Sequence, residues 1–281
     1  MSEQKNVDDP LRRGTPAGSL RYFAVLYAPE PARPLLDALY AFEAEIHDTV
    51  RASNHDVSHT RLQYWRGEVD RLLGGRPEHP VTRALLPLRD GGAEVELLHE
   101  ALVAADVDLA RIALNNADEV AALAFRSTGS LQILAAAASR LPQPLSSAER
   151  EFARRLGAAI AGTQSLRDLR SEAVAARLRL PLDELEQHDL DPVRLLDEPM
   201  PAGLTRMLEQ NKERLRHELR ALPRLLNREE RAAQRQGLVL AALHARLLER
   251  IDHGQGLARV RAEVPPWAKL WTAWRTAVRY A

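Results

Sequence analysis

An all-α protein is the fold class this sequence predicts, and three observations predict it. Aromatic residues make up only 5% of the chain, so the large rings that strands favour are scarce. Ala, Leu, Arg and Glu, all good helix formers, are abundant. Apolar residues recur at i, i+3 and i+4, the period of a helix with one buried face.

Each element has its own local reason. Residues 1–17 (MSEQKNVDDPLRRGTPA) read as a disordered lead-in, which leaves 18–281 as a single helical domain. Ser19 is placed to cap a short helix ending near Ala28, ahead of the proline punctuation at Pro29, Pro31 and Pro34. A long helix follows over about Arg33 to Arg51, with Leu35, Leu39, Phe42, Ile46 and Val50 as its core stripe. The next covers about Ser58 to Leu73 and stops at Gly74-Gly75, and Pro80-Val81-Thr82 opens another. Further helices are expected at roughly 93–105, 116–138, 147–176, 202–221, 228–251 and 266–280. Ser146 and Glu149 have capping-box spacing before the 147–176 segment. No linker long enough to divide the chain is present, and no internal repeat.

Composition narrows the function. The 281 residues carry 39 basic and 39 acidic groups, a formal net charge of zero, so no global basic field points to a nucleic-acid partner. Cysteine is absent, which excludes disulfides, thiolate chemistry and cysteine-ligated metals. The N-terminus lacks an apolar signal region and no stretch approaches 18 uninterrupted apolar residues, so a cytoplasmic protein is expected.

Two polar faces stand out. On the Arg33–Arg51 helix, Tyr40, Ala44, His47 and Arg51 follow i, i+4, i+7, i+11 spacing, with Asp48 adjacent. On the 147–176 helix, Ala161, Gln164, Asp168 and Glu172 share a face. Asp168 and Glu172, one turn apart, have the spacing to hold a hard divalent cation; the alternative is a solvated acidic pair or one satisfied by Arg167 and Arg170. At the C-terminus, Trp267, Trp271, Trp274 and Val278 share a face near Lys269, Arg275 and Arg279. That face either docks on the bundle and closes the core or lies in a membrane interface. His55 and His59 have i, i+4 spacing but no evident third ligand.

Taken together these segments resemble the squalene/phytoene synthase family. "ALYAFEAEIHD" (38–48) is similar to its first aspartate-rich helix, and "LRYFAVLYAPEPARPLLDALYAF" to the approach to it. "RLQYWRGEVDRLLGGRPEHPV" (61–81) resembles its tryptophan-arginine helix and following turn, and "AFRSTGSL" (124–131) its mid-chain small-residue helix. "QSLRDLRSEAVAARLRLPLDEL" (164–185) resembles its second aspartate-rich motif, and "LLERIDHGQGLARVRAEVPPWAKLWTAWR" (247–275) its closing helices. The similarity is collinear over about residues 19–278.

That resemblance implies an isoprenoid-synthase bundle around a central cavity, in which Mg²⁺ held by two carboxylate clusters binds two prenyl diphosphates for head-to-head coupling. It implies Asp48, Asp168 and Glu172 as the metal-binding and catalytic acids. Tyr40, His47, Arg51, Gln164, Arg167 and Arg177 would be the substrate contacts. The sequence departs from the family where that chemistry sits. His47 and Arg51 stand at acidic positions, Ala44 replaces an arginine, Ala161 and Gln164 replace a glutamine and an asparagine, and Ser171 replaces an acid.

With Arg51 cancelling Asp48, the first cluster should hold Mg²⁺ poorly. Arg51 and His47 can instead contact a diphosphate directly, or Arg51 can pair with Asp168 or Glu172 across the cavity. Two readings follow. One is a protein that binds a prenyl diphosphate or related lipid, with magnesium-dependent transfer weakened or lost. The other is a non-catalytic, partner-binding protein, like the family relative that assists assembly of respiratory complex I.

Overall fold

Several helices start at side chains that accept a hydrogen bond from a free backbone N–H. In the computed structural model, which describes residues 9–52, 54–192, 195–197, 200–252 and 261–280, Ser19 caps α1 (Leu20–Val25) by accepting from Tyr22 N. Asn54 caps α3 (His55–Leu73), so that helix starts three residues before the expected Ser58. Between them lies α2 (Arg33–Val50). The short α4 (Pro80–Ala84) and α5 (Leu86–Asp90) follow, then α6 (Leu98–Leu109).

The expected 116–138 helix is continuous in direction but not in winding. It comprises α7 (Ala117–Ala124), a π-helical turn over Phe125–Gly129, and α8 (Ser130–Ala138). By length and composition Ala117–Ala138 is apolar enough to cross a bilayer, yet 61% of its most apolar window is buried inside the bundle, as expected of a core helix. The long α9 (Ser147–Val174) opens on a full capping box between Ser146 and Glu149. A further helix not foreseen from sequence, α10 (Leu182–Gln187), comes next. Then come α11 (Ala202–Ala221), α12 (Arg228–Ala233), α13 (Arg235–Arg250) and α14 (Pro266–Arg279). The single helix expected over 228–251 is thus broken at Gln234. That side chain is buried and donates to Ala136 O and Glu149 Oε1. Residues 253–260, inside the closing motif, lie outside the described residues.

Two apolar cores hold the helices together. One gathers α2, α3, α4, α6 and α8 around Leu36, Leu39, Phe42, Leu62 and Leu102, with Trp65 edge-on to Phe42 at 5.4 Å. The other gathers α9, α11, α13 and part of α14 around Phe152, Leu156, Met207 and Leu243. Small residues bring the two halves close. A Cβ on Gly157 of α9 would lie 2.4 Å from Gly129 Cα in the π turn, a contact only glycine permits.

The N-terminal segment differs from the sequence expectation. Residues 1–8 lie outside the described residues, but 9–17 are packed rather than free. Pro10–Arg12 form a 3₁₀ turn, buried Thr15 donates to Asp37 at 2.6 Å, and a Cβ on Gly14 would strike the Tyr40 backbone at 2.0 Å. This segment closes one side of the site.

Candidate functional site

A cleft of about 470 Å³ lies where α2, α6 and α9 face one another, roofed by the segments around Arg13 and Arg261. Helical spacing puts Ala44, His47 and Arg51 on the α2 wall, and Gln164, Asp168 and Glu172 on the α9 wall. The two polar faces read from the sequence therefore do oppose each other. What they present is a lattice of ion pairs.

Glu172 is the centre of that lattice. Arg51 Nη2 donates to its Oε1 across the cleft at 2.6 Å, and Arg177 Nε donates to its Oε2 at 3.0 Å. Asp168 is gripped from two sides. Arg167 donates through Nε and Nη2 at 3.0 and 2.6 Å, and Arg261 does so at 2.7 and 3.0 Å. Forked guanidinium contacts of this kind are the strong form of charged hydrogen bond. Burial pushes the Asp168 carboxyl up, but the bonds from Arg261 and Arg167 outweigh it and hold the group well below the usual carboxylate range. Glu172 is lowered in the same way: burial opposes ionisation, and Arg177 and then Arg51 overcome it.

The α2 wall is looser. Asp48 is half exposed, accepts from Arg13 Nη2 at 2.7 Å, and does not line the cleft. Arg13 also donates to Glu45 at 2.6 Å. His47 does line the cleft, and its pKa is lowered to about 4, first by the crowding of the cleft walls and then by the Arg51 charge; it is neutral at pH 7. Its side chain remains half exposed, because it faces an open cleft and not a dry core. Tyr40 sits behind the wall. It is fully buried, its hydroxyl accepts from Gln236 Nε2 at 2.8 Å, and the Arg21 guanidinium lies 4.7 Å from its ring centre. Tyr40 bears on the site indirectly, through Arg21 over its ring and Gly14 against its backbone, both of which line the cleft.

Arg177 and Arg179 lie just beyond α9, before Asp183 and Glu184 of α10, yet these acids are not their partners. The two arginines turn instead to Glu172 and to Asp108 of α6. The Asp108 carboxyl is raised by burial, with Arg179 opposing. Sequence reasoning did not single out Asp108, Arg13, Arg21 or Arg261 as site residues. Arg13 and Arg261 approach from segments with no helical period to expose them. Asp108 shows no signal beyond its place near the end of α6.

The charge balance follows from the lining. Seven arginines (13, 21, 51, 167, 177, 179, 261) face four carboxylates (Glu43, Asp108, Asp168, Glu172), a formal excess of three positive charges with His47 neutral. Glu45 and Asp48, which engage Arg13 from outside the lining, narrow that margin. Two buried lining atoms, Glu43 Oε2 and Arg179 Nε, have no hydrogen-bond partner, a costly arrangement unless water or a ligand satisfies them.

A magnesium cluster needs carboxylate oxygens free to turn toward a shared ion. Here both oxygens of Asp168 and of Glu172 already accept from arginine, and Asp48 lies off the cleft lining. Among the described residues, no group of three or more histidines and acids is arranged to hold a metal ion. This donor set does not fit the cluster that the sequence resemblance implies.

Comparison with known proteins agrees with the architecture. A dehydrosqualene synthase crystallised in complex with ligand superposes with a TM-score of 0.80 at 17% identity, covering 98% of each chain. The squalene synthase HpnC from Alicyclobacillus acidocaldarius gives 0.67 at 18% identity, over 85% of this chain and 93% of that one. YisP from Bacillus subtilis gives 0.63 at 16% identity, over 96% and 97%. At these identities the likeness is one of fold. No curated protein matches the chain by sequence. The squalene/phytoene synthase family model, however, matches residues 16–268, nearly the whole described chain, and the protein belongs to that family.

Proposed function

We propose that this protein receives the anionic head of a prenyl diphosphate, or of a related isoprenoid lipid, on arginines rather than on magnesium. Head-to-head prenyl transfer is weakened or lost. One observation carries the reading: each of the three acids at the family's acidic positions is bonded to arginine, Asp48 to Arg13, Asp168 to Arg167 and Arg261, and Glu172 to Arg51 and Arg177. A bridging cation would have to displace those guanidiniums, whose charge also repels it. A diphosphate faces the opposite balance. It is drawn by the positive excess and can replace Glu172 as acceptor for Arg51 and Arg177, with Arg179 Nε as a further buried donor.

The Arg51–Glu172 pair also favours the second reading, a non-catalytic scaffold that acts on a protein partner. It ties α2 to the C-terminal end of α9 without a ligand.

Pyrophosphate release from farnesyl and geranylgeranyl diphosphate, with and without Mg²⁺, tests the loss of chemistry. The proposal predicts no metal-dependent release above background. Sustained Mg²⁺-dependent release that disappears in Asp168→Ala contradicts it and restores Asp168 as a metal ligand.

A further inference from the structure

The packing of α14 is inverted relative to an ordinary surface helix. Amphipathic helices bury their large apolar side chains and turn small or polar ones to water. This one docks on α13 and α1 through Ala268, Ala273 and Ala277, all buried, and turns its largest residues outward. Trp267 is 69% exposed, Leu270 54%, Trp271 56%, Trp274 46% and Val278 58%. At helical pitch these five fall within a stripe about 100° wide, with the Trp271 and Trp274 rings 5.1 Å apart. The alternative in which this stripe closes the core is therefore not how the helix sits. Other large exposed apolar residues are dispersed along the chain from Leu26 to Val174. Single residues of that kind need no explanation, whereas a contiguous aromatic face marks an interaction surface.

The surroundings of the stripe identify what it meets. Residues 266–280 contain no acid, and Arg275 and Arg279 are exposed beside the aromatic face. A tryptophan face bordered by arginines matches the boundary between acyl chains and anionic headgroups. The indole rings sit at headgroup depth and the guanidiniums meet phosphate. On the side away from the stripe, the helix is tied to the body of the protein. Lys269 Nζ donates to Gly18 O at 2.8 Å, between the cleft-lining residues Pro16 and Ser19, and Arg261 of the cleft lies five residues before Pro266.

We infer that α14 is a peripheral membrane-docking helix that lays Trp267, Trp271 and Trp274 into an anionic lipid surface, with Arg275 and Arg279 at the headgroups. The inference is independent of what the cleft binds.

Flotation of the full chain with phosphatidylcholine vesicles, with and without phosphatidylglycerol, tests it. Tryptophan emission is read in parallel; Trp65 is buried, so a change on binding reports the α14 rings. The expected result is flotation with the anionic vesicles, a blue shift, and weakening by salt. Replacing Trp267, Trp271 and Trp274 together by alanine should cut partitioning by at least about tenfold. These side chains are exposed, so the helical circular dichroism should persist. If the triple variant does not fold, Arg275→Glu with Arg279→Glu gives an independent reading, and should selectively abolish the anionic component. Absence of flotation, equal flotation with uncharged vesicles, or flotation unaffected by either set of substitutions overturns the inference. So does a self-associating chain whose dimer, without lipid binding, is lost in the triple variant.

Discussion

The two walls of the cleft have the same helical layout but have been filled differently. On α9, Asp168 and Glu172 are largely buried and take hydrogen bonds from four arginines. On α2, Asp48 is half exposed and accepts from Arg13, itself half exposed. The α9 acids behave as structural counter-ions fixed by their surroundings, whereas Asp48 is a surface group. The difference matters for function because a metal bridge needs comparable, available acids on both walls. Here one wall is committed and the other is turned away.

The largest expected effect follows from breaking the committed wall. Glu172→Ala leaves Arg51 and Arg177 facing each other without a counter-charge, and should cost about 3 kcal/mol of unfolding free energy. A urea titration would show a lower midpoint at unchanged slope. Asp168→Asn removes the acceptor charge for Arg167 and Arg261. With Arg261 exposed on the far side, the expected cost is smaller, about 2 kcal/mol.

Acid acts in two pH windows. His47 and the fully buried His244 both have pKa values lowered to about 4. For His244, burial is the main cause, with Leu240 O opposing. Between pH 6.5 and 4 the unfolded chain binds protons that the folded chain does not, so stability falls as pH drops through that window. His244 should account for on the order of 1 kcal/mol by pH 5.5, and half-exposed His47 for less because water screens it. The α9 acids act lower. Their lowered pKa values give stability that is present above about pH 4.5 and is lost as pH falls further. Stability measured from pH 7 to 3 should show two phases, the upper one reduced in His244→Gln. At the small end of the scale, Asp48→Ala should change stability by less than about 0.5 kcal/mol; a cost equal to that of Glu172→Ala would erase the contrast between the walls.

The helical framework was legible because its signals are local. Ser19, the Ser146–Glu149 box and Gly74-Gly75 each act within a turn of their own position, and the observed elements respect them. The break at Gln234 was not legible, because its cause is a buried amide reaching Ala136 and Glu149 from other helices. The same division runs through the site. Helical spacing grouped Ala44, His47 and Arg51 on one face and Gln164, Asp168 and Glu172 on another, and the family resemblance implied that the two faces meet across a cavity. Which arginine answers which acid depends on contacts such as Arg261 to Asp168, 93 residues apart, and periodicity carries no trace of them. The tryptophan stripe was visible as a face, but its direction was not. Only the packing of three alanines against the bundle reveals that it points outward.

The proposed function gives arginine the role of metal in the cleft. Calorimetric titration of the full chain with a non-hydrolysable farnesyl diphosphate analogue, once with excess Mg²⁺ and once with EDTA, addresses that most directly. It predicts binding in both, with equal affinity, and weaker binding in Arg51→Ala and Arg177→Ala. Binding that appears only with Mg²⁺ and vanishes on chelation would contradict it.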